Sequence, residues 1–219
     1  FTWDTRYTYS ANHNKIETLA DNAINPATGE SFSIETLNMG GLGETHFLLR
    51  EGGTMGDLYS LIDLKHDSNG KIMVDQNGNV STESIKNSTN YIKLGSVLPK
   101  ANMAWRNNFR WKNLNIGFMI AARLGGVVFS RTQAILDDFG VSEASAIARD
   151  HGAIIVNKTD EISPEVWYST IGGGTAIPQY YTYSATNVRL QEASIGYTIP
   201  RKWLYNICDL TVSVIGRNL

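Results

Sequence analysis

Residues 101–125, ANMAWRNNFRWKNLNIGFMIAARLG, alternate between large apolar and polar side chains. Met103, Trp105 and Phe109 occupy odd positions, and Asn and Arg residues occupy most of the even ones. The alternation then changes phase, so that Phe118 and Ile120 fall on even positions. A two-residue period is typical of a β-strand with one apolar and one polar face, so the segment is predicted to form two strands.

The change of phase predicts a tight hairpin that turns near Trp111 and Lys112 and keeps every large apolar group on one face. The expected pairs are Phe109 with Leu114, Trp105 with Phe118, and Met103 with Ile120. Each arm has roughly ten alternating residues, the length of a tilted strand that crosses a bilayer. Strands of soluble sandwiches are usually about five or six residues long, so the arms favour a membrane setting.

The first ten residues, FTWDTRYTYS, repeat the alternation. Trp3 and Tyr7 lie on one side of this predicted strand, and Asp4 and Arg6 lie on the other. Two environments explain such a contrast: a soluble sandwich with its core on one side and water on the other, or a barrel wall between lipid and a watery lumen.

A second hairpin is predicted from residues 193–199 and 210–214. Val188 and Leu190 run in the opposite phase to Ile195 and Tyr197. This change indicates either a β-bulge or the point at which the strand leaves its apolar environment.

Two long segments, residues 12–100 and 125–187, are expected to be irregular, with short strands at 46–50 and 58–64. In the second segment, Ser130 and Gln133 have the spacing of a capping box, and Gly140 is a stop signal, which predicts a short helix. A second helix is expected between Ser142 and Gly152. Short turns at one end of the strands and long loops at the other are typical of outer-membrane barrels.

The composition excludes several classes of protein. A net charge of −2 gives no electrostatic basis for binding nucleic acid. No run of about 18 apolar residues occurs, which excludes a helical membrane protein. The chain begins with Phe1 and ends within a strand-like run, so we expect it to be a piece of a longer protein.

No motif in the sequence predicts catalysis, a metal site or a cofactor. The four His residues are dispersed. The run from Asp67 to Gly70 matches the start of a calcium loop, but Gly78 stands where the loop needs its Glu, so an Asx-type turn is predicted. The three glycines at 172–174 are predicted to form a flexible loop tip, and the Asp137 carboxylate is expected to be solvated.

The order of these features resembles the C-terminal barrel portion of the SusC/RagA family of TonB-dependent outer-membrane transporters of Bacteroidetes. Four segments carry the resemblance: LGSVLPKANMAWRNNFRWKNLNIGFMIAARLGG, FSRTQAILDDFGVSEASAIARD, ATNVRLQEASIGYTIP and VIGRNL. The segment FTWDTRYTYSANHNKIETL also resembles a strand of the family, and the similarity is weakest at about residues 25–90.

The resemblance implies an all-β chain in which residues 1–219 form the C-terminal part of a large antiparallel transmembrane barrel of the plugged, roughly twenty-two-stranded kind. It implies uptake of oligosaccharides or peptides across the outer membrane, with energy relayed by the TonB complex through an N-terminal part and with a SusD-like surface lipoprotein as partner. Trp111-Lys112 and residues 200–206 would be periplasmic turns. Residues 125–187 would be a helix-bearing extracellular loop that contacts the lipoprotein or the substrate.

The predicted site residues form two sets. The residues expected to contact outer-membrane lipid are Trp3, Tyr7, Trp105, Phe118, Ile120, Ile195 and Val212. The residues expected to face the lumen are Asp4, Arg6, Arg106, Asn115, Arg123 and Arg217. Two alternatives stay open at this stage: a secreted β-sandwich that binds carbohydrate through its aromatic residues, and a passive porin.

Overall fold

The computed structural model describes the backbone of residues 1–219 and the side chains of all of them except Ser88. The chain is mostly β, with short helices. The strands are β1 Thr2–Ser10, β2 Ala20–Ile24, β3 Ser31–Ile34, β4 Thr36–Leu42, β5 Thr45–Arg50, β6 Asp57–Ser60, β7 Ile62–Leu64, β8 Thr82–Ser84, β9 Ile92–Ser96, β10 Ala101–Trp111, β11 Leu114–Leu124, β12 Val127–Phe129, β13 Ile154–Val156, β14 Asp160–Ile162, β15 Thr182–Ser184, β16 Asn187–Ile199 and β17 Leu210–Arg217. The helices are α1 Arg131–Asp138, α2 Glu143–His151 and α3 Pro164–Ile171.

The chain divides into two compact units. The sheet unit comprises residues 1–13, 99–126 and 185–219, and the insert unit comprises residues 14–98 and 127–184. No helix among the described residues is long and apolar enough to span a membrane.

The sheet unit is one antiparallel sheet with the strand order β1-β10-β11-β16-β17. β10 and β11 each have eleven residues, which confirms the long arms predicted from the alternation. β1 and β17 are the edge strands, so the sheet does not close into a barrel within the described residues.

The predicted register of the β10–β11 hairpin is wrong by two residues. Trp111 pairs with Leu114, so the turn consists of Lys112 and Asn113. Consequently Phe109 pairs with Ile116 rather than Leu114. A shift of two residues preserves the side of every residue, because side chains alternate with a period of two. The predicted faces are therefore unaffected.

The predicted irregularity in β16 is a β-bulge. Met119 of β11 pairs with Glu192, whereas the next residue, Ile120, pairs with Leu190. Gln191 is thus the extra residue, and the strand changes phase there. The bulge brings Leu190 onto the same face as Ile195.

The insert unit corrects the prediction that residues 12–100 and 125–187 are irregular. A four-stranded sheet forms in the order β4-β5-β6-β9, and β2-β3, β7-β8, β12-β15 and β13-β14 form two-stranded ladders. Residues from both segments share one apolar core. Its most deeply buried members include Leu64, Ala134, Ile162, Ile177 and Tyr181. The core therefore depends on contacts between segments that are far apart in the sequence.

The two predicted helices are confirmed as α1 and α2. The Ser130 hydroxyl accepts a hydrogen bond from the Gln133 amide at 3.3 Å, and the Ser142 hydroxyl accepts one from the Ser145 amide at 3.0 Å. Gly152 ends α2 with a left-handed φ of 85°, a conformation that glycine adopts without strain. Helix α3 was not predicted, although Pro164 in its first turn is a common start signal.

Two further predictions for the insert unit are wrong. Gly172 and Gly173 are buried, and the Gly173 amide donates to the Ala134 carbonyl at 2.9 Å, so these glycines pack α3 against α1 rather than forming a loop tip. Asp137 is also buried, because α1 turns this residue inward, and its carboxylate accepts a hydrogen bond from the Gln133 amide group at 2.8 Å.

Candidate functional site

One face of the five-stranded sheet carries no charged side chain. Continuous rows of apolar residues cross the strands, and one of them runs Trp3, Phe109, Ile116, Ile195 and Val214. The Trp3 and Phe109 rings stack with centroids 6.0 Å apart. Trp3 is 54% exposed and Ile195 is 52% exposed. A continuous exposed surface of this kind indicates contact with another apolar phase or molecule.

Two polar side chains interrupt this apolar face, and each accepts a hydrogen bond from a Trp indole. Trp3 Nε1 donates to Asn107 Oδ1 at 3.0 Å, and Trp105 Nε1 donates to Thr5 Oγ1 at 3.0 Å. A polar group without a hydrogen bond is costly in an apolar medium. The two indoles therefore reduce the cost of placing Asn107 and Thr5 on this face.

The opposite face carries every charged residue of the five strands, and arginine dominates it. Six guanidinium groups occur with two carboxylates, and no lysine lies within these strands. The arginines are Arg6, Arg106, Arg110, Arg123, Arg189 and Arg217, and the acids are Asp4 and Glu192. This polar face is therefore strongly cationic, although the whole chain has a net charge of −2.

An ion-pair network links three strands on the polar face. Glu192 Oε1 lies 3.5 Å from an Arg106 terminal nitrogen, and Glu192 Oε2 lies 3.3 Å from Arg217 Nε. Arg6 is the cross-strand neighbour of Arg106, so one row of the sheet contains three arginines and a single acid. Both oxygens of Glu192 are thus engaged within the sheet.

The structure separates the two predicted sets of site residues completely. The seven residues predicted to contact lipid all lie on the apolar face, and the six predicted to face the lumen all lie on the polar face. The alternation missed Arg189. Its parity matches that of Ile195, which would place it on the apolar face, but the bulge at Gln191 turns it to the polar face. The opposite phase of Val188 and Leu190 was the signal that could have revealed it.

Two turns of the insert unit contain an Asp whose carboxylate accepts hydrogen bonds from nearby backbone amides. Asp67 Oδ1 accepts from the amides of Asn69 and Lys71 at 2.8 and 2.9 Å, which confirms the Asx-type turn. These hydrogen bonds, with that of Lys71 the larger cause, hold the pKa of the Asp67 carboxyl below its ordinary value. Asp75 forms a second turn of the same design eight residues later. Among the described residues, no group of three or more His, Cys, Asp or Glu side chains is placed to hold a metal ion.

The chain is similar to two curated proteins that are TonB-dependent receptors, although no family model matches it. It is 26% identical over 240 residues to TonB-dependent receptor P3 of Formosa agariphila, a match that covers 100% of this chain and 22% of that protein. It is 24% identical over 211 residues to TonB-dependent receptor SusC of Bacteroides thetaiotaomicron, covering 93% of this chain and 19% of SusC.

The chain resembles SusC-type TonB-dependent receptors. Solved structures agree on the fold: the RagAB peptide transporter matches with a TM-score of 0.56, 17% identity and coverage of 99% of this chain and 23% of that chain. The RagAB peptide importer in its closed-closed state matches with a TM-score of 0.53 and 16% identity. The resemblance predicted from the sequence is thus confirmed. The chain spans about a fifth of the length of these two curated receptors.

Proposed function

We propose that residues 1–219 form the C-terminal part of an outer-membrane β-barrel that imports nutrients. The observation that carries the proposal is the segregation of charge across the sheet: one face has none, and the other has all eight charged residues of the five strands. A barrel wall between lipid and water requires this arrangement, because a charged side chain on the lipid face is destabilising.

The strand lengths support the same proposal. An eleven-residue strand such as β10 extends for about 36 Å, at about 3.3 Å per residue. When it is tilted by about 35–45°, as strands of membrane barrels are, it spans roughly the height of the apolar band of such a barrel, about 25 Å. In this arrangement the apolar face contacts lipid and the polar face lines the lumen.

The solute, the energy source and the partner belong to the proposal as well. The similarity to SusC and to the RagAB peptide transporter supports TonB-energised uptake of oligosaccharides or peptides, with a SusD-like lipoprotein as partner. The remaining part of the full-length protein would contribute the other strands, the plug domain and the TonB contact. Within this chain, the insert unit is the proposed contact for the lipoprotein or the solute.

Fractionation of cells that express the full-length protein tests the proposal. We expect the protein in the outer-membrane fraction, from which only detergent extracts it. Extraction into buffer alone would overturn the barrel assignment and favour the carbohydrate-binding sandwich instead. Uptake that continues unchanged in a strain without TonB would instead indicate a passive porin.

A further inference from the structure

A concave surface lies on the polar face, at the end of the sheet where β1 and β11 end and β10 and β16 begin. Its volume is about 470 Å³. Ala104 and Ala121, which pair across β10 and β11, leave space between longer side chains. The polar residues around that space include Thr8, Ser10, Asn102, Arg123, Arg189 and Gln191.

The charges around this cavity are all positive. Arg189 pairs with Ala121, and Arg123 pairs with Asn187, so the two arginines are diagonal neighbours on β11 and β16. Such neighbours lie about 7–8 Å apart. No carboxylate occurs among the described residues that line the cavity. The nearest acid in sequence, Glu192, is already paired with Arg106 and Arg217.

The β-bulge is what brings Arg189 to this cavity. Without the extra residue Gln191, the alternation of β16 would turn Arg189 toward the apolar face, where a charge is unfavourable. Bulges commonly redirect a side chain beside a functional site. The bulge also places Gln191 itself at the cavity wall.

We infer that this cavity binds the carboxylate of an acidic oligosaccharide during its passage through the protein. A guanidinium group presents two parallel donors that match the two oxygens of a carboxylate. The amides and hydroxyls of Asn102, Gln191, Thr8 and Ser10 both donate and accept, which suits the neighbouring hydroxyl groups of a sugar chain. This inference rests on the proposed function, because the polar face must line the solute's path.

Calorimetric binding to the full-length protein in detergent tests the inference. The probes are the galacturonic acid tetramer and a matched neutral galactose tetramer. We expect the acidic tetramer to bind more tightly, and its affinity to fall as the salt concentration rises. Arg189→Gln should weaken binding of the acidic tetramer about tenfold or more and leave the neutral one unchanged. The affinity of Arg189→Lys for the acidic tetramer should lie between those of the parent protein and Arg189→Gln. Lysine keeps the positive charge but lacks the two parallel donors of a guanidinium group.

The matched control is Lys202→Gln, which removes one positive charge from the same unit outside the five strands and should leave both affinities unchanged. Equal binding of both tetramers, or an equal effect of Arg189→Gln on both, would overturn the inference. So would tighter binding of a glutamate tetrapeptide than of the acidic sugar. A loss of thermal stability in Arg189→Gln without any change in binding would also overturn it, because Arg189 would then stabilise the fold without contacting the sugar. Failure to bind either sugar by a protein that still requires detergent for extraction would overturn this inference alone.

Discussion

Phe118 offers the sharpest test of the apolar face, because it lies near the middle of a strand and inside an aromatic cluster. It is the fifth of the eleven residues of β11. Its ring lies 5.9 Å from that of Trp105, edge to face, and 6.2 Å from that of Phe109. We expect Phe118→Arg to destabilise the full-length barrel severely.

The magnitude has two parts. An arginine on the lipid face near the middle of the bilayer costs about 2–4 kcal/mol. Each lost ring contact costs about 0.5–1.5 kcal/mol more, so the total is about 3–7 kcal/mol. Since 1.4 kcal/mol changes an equilibrium constant tenfold, the folding equilibrium should shift by about a hundredfold or more.

Urea titration of the full-length protein folded into lipid vesicles measures this change. Phe118→Leu is the first control, because it removes the ring contacts without adding charge, so its penalty should be about 1–3 kcal/mol. Asn115→Arg is the second control. It places the same arginine on the polar face of the same strand and removes the hydrogen bond from Arg110 Nε to Asn115 Oδ1, at about 0.5–1.5 kcal/mol. Equal penalties for Phe118→Arg and Asn115→Arg would refute the assignment of the two faces.

Three further predictions concern single contacts. Trp3→Phe removes the hydrogen-bond donor to Asn107 and should lower the free energy of unfolding in the same titration by about 1–3 kcal/mol. Trp111→Phe is its control and should have little effect, because the Trp111 indole makes no hydrogen bond within the described residues. Gly172→Ala should destabilise the packing of α1 and α3 by about 1–3 kcal/mol, because the new Cβ would lie 2.6 Å from the Tyr168 carbonyl oxygen. Gly174→Ala is its control, because its Cβ would meet no atom closer than 3.7 Å. Hydrogen exchange of α1 and α3 measures the effect of both variants. Burial raises the pKa of the Asp57 carboxyl, but hydrogen bonds from Lys93 and Thr54 outweigh it and lower the pKa below its ordinary value of 3.8. The ionised Asp57 carboxylate therefore stabilises the fold fully above pH 3.8, and this contribution is lost as the pH falls further. Asp57→Asn should weaken the hydrogen-exchange protection of β6 at neutral pH, and the difference from the parent protein should shrink in acid.

The sequence predicted the faces of the sheet better than the pairing of its strands. The predicted partner of Phe109 was wrong by two residues, yet the residue lies on the predicted face. Parity along a strand survives any even shift in register, because side chains alternate with a period of two. The local signals at Ser130 and Ser142 were equally dependable, since a helix cap involves only residues close in sequence.

Features that depend on distant contacts could not be predicted. Asp137 lies in a short polar helix and was expected to be solvated, but its side chain is buried. Segments that are far apart in the chain assemble one core around α1. Gly172 had the composition of a loop tip, but it is buried, and an added Cβ would lie 2.6 Å from the Tyr168 carbonyl oxygen and 2.8 Å from that of Ala134.

The sequence by itself thus determined that this chain has long strands with one apolar and one polar side, since a two-residue period needs no knowledge of the partner strand. The tertiary structure alone decided which charges meet. It placed Glu192 between Arg106 and Arg217. It also decided between the two interpretations of the phase change in β16: the strand has a bulge at Gln191, which turns Arg189 to the polar face because a single extra residue reverses every side chain beyond it.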